Sequence, residues 1–295
     1  MTAVRDPTKP LRAALDKRVL WAISLIDDRL GRREVTVHDR FDDVEKMARA
    51  TLQATGWAQA EEGTSSLERL DAARAAYLNW ATGPEGYASQ AGMWFNPPVP
   101  VEHHEGRVDV LLVNERIVEQ PWVFAALPSD QPCRVLDVGG SESTVALSLA
   151  TLGHTVDVVD PRGYPLAHPN LTAHACRLDE LDGDRRWDVA IALSSVEHFG
   201  LQHYGQHESD AREDLAALAQ LRGVSDRLVL TVPFGPEAEI AGFERIYDEA
   251  GLGELLEGWD VEQRLVVERV DRTTWRACET PSGRAVAMVT ATPTR

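Results

Sequence analysis

The chain has 295 residues, 43% of them apolar and 26% charged, and its forty-seven acidic against thirty basic side chains leave a formal charge of -17. That length buries one good core, as one large domain or two smaller ones, and the acidic balance repels a polyanion, which argues against nucleic acid as a partner. No leader-like order of basic, apolar and small residues opens the chain, no apolar run is long enough to span a bilayer, and Cys133, Cys176 and Cys278 lack C-x-x-C spacing, so a cytoplasmic protein without disulfides, zinc ribbon or membrane partner is expected.

Leu11, Leu15, Val19, Ile23, Ile26 and Leu30 recur at steps of three or four and predict a first amphipathic helix. Phe41, Val44, Met47 and Leu52 predict a second, and Ser65-Ser66-Leu67-Glu68 is an S-x-x-E capping box that opens a third. Residues 1–82 therefore read as a helical region whose apolar stripes serve as core or as a homodimer surface.

From Gly83 the texture changes to GPEGYASQAGMWFNPPVPV, too rich in Gly and Pro to sustain a helix. Residues 83–130 are set apart as a connecting strap and a short helix around VLLVNERIVEQPWVFAAL. Tyr87, Met93, Trp94 and Phe95 make the strap either a lid over a pocket or a band packed on the core.

Beyond it, VLDV, VDVV, part of LTAHACRL, VAIAL and LVLTV are short apolar runs separated by turns and helical segments. Such alternation predicts an α/β fold with a doubly wound parallel sheet. VEQRLVVERV and RAVAMVTA, close together in sequence, predict a terminal antiparallel hairpin at the sheet edge.

The turn after VLDV reads Gly139-Gly140-Ser141-Glu142-Ser143. A strand-to-helix turn aims backbone N–H groups and the positive end of a helix dipole at a ligand above the strand. A dinucleotide fingerprint needs further glycines for close approach to the pyrophosphate and for helix packing. Here serines replace them, and Glu142 sets a carboxylate where phosphates would lie. A compact cation suits Asp137 and Glu142 better. Asp160, ending the next strand, is placed to accept both hydroxyls of a ribose.

VLDVGGSES, VDVVDPR, WDVAIALSSVEHFG and LVLTVPFG, in this order, resemble the successive motifs of the class I S-adenosylmethionine-dependent methyltransferases. The resemblance implies a Rossmann-like seven-stranded sheet over residues 131–295. It also implies S-adenosylmethionine as cofactor, held by Asp137, Gly139, Gly140, Ser141, Glu142, Asp160, Arg162, Leu178, Asp179 and Ser194. Asp179 matches the adenine position only with a small shift. Arg116 is placed either to pair with the cofactor carboxylate or to form a helix-surface ion pair with Glu115 or Glu119.

Methyl transfer mainly requires alignment, and a base where the acceptor is an alcohol. His198 is the first candidate base, His203 the second, and a turn histidine bonded to backbone is the plainer reading of His198. Glu197 is placed to orient the cofactor or brace His198. Trp94, Phe95, Tyr204 and Trp275 are candidate walls for the acceptor. His203, His207 and Glu208 have metal-ligand spacing, as do His103, His104 and Glu105, but solvated histidines explain both and no metal is expected. The reading is methyl transfer to a small molecule, a hydroxyl on a sugar or secondary metabolite, with an NAD-dependent oxidoreductase or a non-catalytic protein of the same fold as rivals.

Overall fold

The computed structural model describes residues 70–90, 95–128, 131–181, 185–201, 212–236, 238–240 and 242–294. The helices expected over 11–30 and 41–52, the capping box at 65–68, and Met93, Trp94, His203, Tyr204, His207 and Glu208 lie outside these residues. The chain divides into two compact units, Met1–Ala91 with Glu102–Asp109, and Gly92–Val101 with Val110–Arg295. No helix among the described residues is long and apolar enough to cross a membrane.

In the first unit, helix α1 (Ala72–Thr82) starts at Asp71, whose carboxylate accepts the Arg74 N–H at 2.8 Å and satisfies one of the free donors of the first turn. A four-residue helix, α2 (Tyr87–Gln90), follows, and Tyr87 meets Trp80 edge-on at 4.4 Å. The strap that Gly and Pro seemed to bar from helix therefore holds one helical turn. Glu102–Asp109, which belong to this unit, make up all but the outer ends of the hairpin β1 (Val101–His104) and β2 (Arg107–Val110), which turns at Gly106, where φ is +70°. Asn79 ties to it by donating to the His103 carbonyl and accepting the His103 N–H, at 2.9 and 2.7 Å.

The second unit opens with α3 (Arg116–Ala126) and continues through β3 (Arg134–Val138), α4 (Val145–Thr151), β4 (Thr155–Val159), β5 (Leu171–His174) and β6 (Val189–Leu193). Then come α5 (Glu213–Val224), β7 (Leu228–Pro233), the small hairpin β8 (Ala238–Ile240) and β9 (Glu244–Ile246), α6 (Glu249–Leu255), β10 (Trp259–Arg269), β11 (Trp275–Ala277) and β12 (Ala285–Pro293). The helix expected within 110–127 starts only at Arg116, because Val110 completes β2.

The main sheet has the order β11-β10-β12-β7-β6-β3-β4-β5. Strands β5, β4, β3, β6 and β7, from one edge inward, are parallel, and β12, β10 and β11 each join antiparallel. This is the doubly wound, Rossmann-like architecture expected, with the terminal antiparallel pair formed by β10 and β12. The sheet has eight strands rather than seven, since the chain between that pair folds back to add the three-residue β11 at the edge.

Alternation along the strands sends side chains to two cores. Leu136, Val138, Ala190, Leu228 and Leu230 face Leu218, Leu221, Leu252 and Leu255 of α5 and α6. Val135, Val156, Val158, Ile191 and Val229 face Val123 of α3 and Val145 and Leu149 of α4. Helices thus cover both faces, as buried parallel strands require. The chain runs from β3 outward to β5 and then crosses to β6 on the other side of β3. That reversal opens a crevice above the carboxyl ends of β3 and β6, the place where doubly wound sheets bind ligands.

Candidate functional site

A cavity of about 350 Å³ occupies the crevice, within the range of roughly 300–1,000 Å³ usual for small-molecule sites. Of the residues singled out from sequence, Arg116, Gly139, Glu142, Asp160, Arg162, Leu178, Asp179, Ser194 and His198 line it. Asp137, Gly140 and Ser141 are not among its lining residues.

The glycines are needed for shape. Gly139 has φ +75°, a left-handed conformation that a side chain would strain, and an added Cβ would fall 2.6 Å from the Ser195 Cβ. A Cβ on Gly140 would lie 2.5 Å from Asp137 Oδ2. The turn therefore sits close on two polar side chains. Asp137 is buried, and its Oδ2 has no hydrogen-bond partner among the described residues. Burial, reinforced by the charge of Asp160 and opposed by that of Arg116, pushes its carboxyl up to about 7.

Asp160 ends β4, 3% exposed. It accepts the backbone N–H groups of Arg162 (2.9 Å) and Ser141 (3.3 Å), and the Arg162 guanidinium at 3.2 Å on each oxygen. Arg162 also donates to Glu142 Oε1 at 2.6 Å, so one guanidinium joins the two carboxylates.

Arg116 answers the sequence alternative in part, since Nη1 pairs with Glu119 Oε2 at 2.6 Å. The pair is not on a helix surface, however: Glu119 is fully buried, and Arg116 Nε is buried with no partner among the described residues. Glu119 accepts in turn from Ser194 Oγ at 2.5 Å. Ser194, just past β6, has φ +42°, a non-glycine left-handed conformation that two bonds from its N–H to Thr231 Oγ1 and the Thr231 carbonyl (2.9 and 3.1 Å) hold in place.

His198 closes the short 3-10 turn Val196–His198. Its Nδ1 stands 2.5 Å from the Phe243 carbonyl, and the Phe243 ring lies 4.8 Å from the imidazole. A carbonyl oxygen only accepts, so Nδ1 carries the proton and Nε2 of the neutral ring is the basic nitrogen. Glu197 Oε1 is 3.8 Å from Nε2, beyond hydrogen-bond distance. Glu197 is itself buried, with Oε2 unpartnered among the described residues, and burial raises its carboxyl well above the usual range. At 3.8 Å no direct hydrogen bond joins Glu197 to the imidazole.

At the far end, Arg177 pairs with Asp179 (2.9 Å) and Glu213 (3.0 Å), and Gln220 donates to the Leu178 carbonyl at 2.7 Å. Within the strap, Asn96 lines the cavity, whereas Phe95 packs its ring 6.4 Å from Tyr164. Phe95 is thereby turned into the core beside α4 and does not line the cavity. Trp275 does not line it either. It lies on β11, separated from β6 by β10, β12 and β7, roughly 19 Å at the usual strand spacing, and its Nε1 donates to the Val113 carbonyl at 3.0 Å. Among the described residues no group of three or more His, Cys, Asp or Glu side chains is arranged to hold a metal. His103 is engaged by Asn79, and His104 lies between Glu102 and Asp109 at 3.4 and 3.3 Å.

Ser195, Asn96, Glu213, Gln220 and Phe243 line the cavity without having been singled out. Ser195 was legible as the neighbour of Ser194 in WDVAIALSSVEHFG. Phe243 was not, because the turn between β8 and β9 carries no pattern that ties it to β6.

No protein-family model matches the chain, and no curated protein does. Among solved structures, the chain is similar to the 1,6-didemethyltoxoflavin-N1-methyltransferase of Burkholderia thailandensis, crystallised with 1,6-didemethyltoxoflavin and S-adenosylhomocysteine. That match has 22% identity over 56% of this chain and 72% of that one, with a TM-score of 0.39. The N-methyltransferase NodS of Bradyrhizobium japonicum matches at 12% identity over 61% and 97% of the two chains, TM-score 0.42. The magnesium protoporphyrin IX methyltransferase of Synechocystis, with bound S-adenosylhomocysteine, matches at 19% identity over 59% and 80%, TM-score 0.41.

Proposed function

We propose that this protein is an S-adenosylmethionine-dependent methyltransferase acting on a small molecule, with a hydroxyl of a sugar or secondary metabolite as acceptor. One observation carries the reading. Each arginine lining the cavity is already paired with a carboxylate, while Asp137 Oδ2 is buried with no partner among the described residues. Such a site favours a cation over a pyrophosphate, which disfavours a nicotinamide dinucleotide.

The residues fit the cofactor's parts. Asp137 and Glu142 suit its positive groups, Arg116 Nε its carboxylate, Asp160 its ribose hydroxyls, and Leu178 with Asp179 the adenine end. The cofactor supplies an activated methyl with a good leaving group. The chain supplies alignment, and His198 Nε2 takes the proton of the acceptor hydroxyl, a contribution of about 10²–10⁴ for a positioned base. The net charge of -17 leaves a nucleic acid the less suitable acceptor. Isothermal titration with S-adenosylmethionine and S-adenosylhomocysteine tests the reading: one-to-one binding of both is expected, and binding of neither would sink it.

A further inference from the structure

We infer that Arg162 is a specificity-determining residue, because its guanidinium occupies the acceptor positions on Asp160 that a vicinal cis-diol must take. The inference rests on the proposed nucleoside cofactor site. An ionised carboxylate offers about four lone-pair positions, two on each oxygen. On Asp160 all four have donors. Oδ1 accepts the Arg162 backbone N–H at 2.9 Å and Nε at 3.2 Å, and Oδ2 accepts the Ser141 backbone N–H at 3.3 Å and Arg162 Nη2 at 3.2 Å.

The two backbone donors belong to the turns after β3 and β4 and keep one position on each oxygen. The guanidinium holds the other two, again one per oxygen. A cis-diol needs one acceptor on each oxygen, so it competes with the guanidinium for the same pair. Arg162 is 36% exposed, and Nη1 is held by Glu142 Oε1 at 2.6 Å. It can therefore leave Asp160 toward solvent while remaining paired with Glu142.

Binding is then an exchange, in which two diol hydroxyls replace two N–H donors on a buried carboxylate. A ligand with a complete cis-diol refills both positions. One lacking a hydroxyl leaves an acceptor of a buried charge unfilled, or leaves the guanidinium in its way, and is rejected. Arg162 thus sharpens selection for a ribonucleoside over its deoxy analogue.

The probe is adenosine, which is neutral and so does not respond to the loss of a positive charge as such, alongside S-adenosylhomocysteine and 2′-deoxyadenosine. Arg162→Met should tighten adenosine about three- to tenfold, since the competing pair is only partly screened. Adenosine should also bind the parent more tightly in 0.5 M salt than in 0.05 M, roughly twofold or more, with no such gain in the variant. Arg162→Lys, which keeps the charge but loses the two-pronged geometry, should fall between them. Thermal melts establish that each variant is folded. If S-adenosylhomocysteine and adenosine bind the parent but Arg162→Met leaves adenosine unchanged or weaker, the exchange is wrong and the cofactor reading stands. If neither ligand binds parent or variant, both fall together.

Discussion

Gly139, at the end of β3, and Ser195, just past β6, meet across the crevice so closely that a Cβ on the glycine would lie 2.6 Å from the serine Cβ. The approach leaves no room for a side chain on the turn, and Gly139 also has φ +75°. Gly139→Ala therefore adds a clash to a conformational penalty, and should cost about 2–4 kcal/mol in urea unfolding. Gly153 provides the comparison. It has φ +102° but open space around it, so Gly153→Ala should lose only about 1 kcal/mol. Equal losses would show that strain alone, without the approach to Ser195, explains the glycine.

Asp137 gives the structure a pH signature. Its folded-state pKa of about 7 lies above the ordinary 3.8, so the folded chain holds this proton more tightly than the unfolded chain. Stability from this group is full below about pH 4 and is lost as pH rises through 7. Asp137→Asn removes the dependence. Above pH 7 the variant should be more stable than the parent, by up to roughly 4 kcal/mol, and near pH 4 the two should converge. Melting temperatures from pH 4 to 8 test this, and parallel curves would contradict it.

The parallel sheet was legible because buried strands such as VAIAL and LVLTV leave little choice of structure, and because Gly139, Asp160 and Ser194 fall at strand ends that the topology must gather. What stayed hidden depends on contacts distant in sequence. Nothing in the spacing of Glu119 says that a helical carboxylate becomes fully buried under Ser194, seventy-five residues away. The exposed-helix reading of Arg116 and Glu119 treated them as neighbours on a surface, and only the packing of α3 against the sheet reverses it. Trp275 stands away from the cavity for a similar reason, since the pairing of β11 with β10 is not written in its local sequence.

His198 and Phe243 give a prediction about tautomer. The Phe243 carbonyl fixes the proton on Nδ1 and leaves Nε2 as the basic nitrogen that the proposed mechanism uses. His198→Ala should lower kcat by about 10²–10⁴ with a hydroxyl acceptor while changing S-adenosylhomocysteine affinity little. His198→Asn keeps a donor near the carbonyl but supplies no base, and should be as slow as the alanine variant. Recovery of turnover by Asn would assign His198 a bracing role for the turn between β8 and β9.

Arg116, Glu119 and Ser194 form a buried chain that is sensitive to partial removal. Arg116→Met leaves the Glu119 carboxylate with the Ser194 hydroxyl alone among the described residues, and an ion of a buried pair deprived of its partner costs about 3–5 kcal/mol. Ser194→Ala removes one neutral donor and should cost about 1–3 kcal/mol. The double variant Arg116→Met with Glu119→Gln removes both charges, so it should regain much of the first loss, a coupling that a double-mutant cycle in urea reads directly. Losses that simply add would mean that Glu119 is solvated in solution and that α3 does not seal the sheet at this end of the crevice.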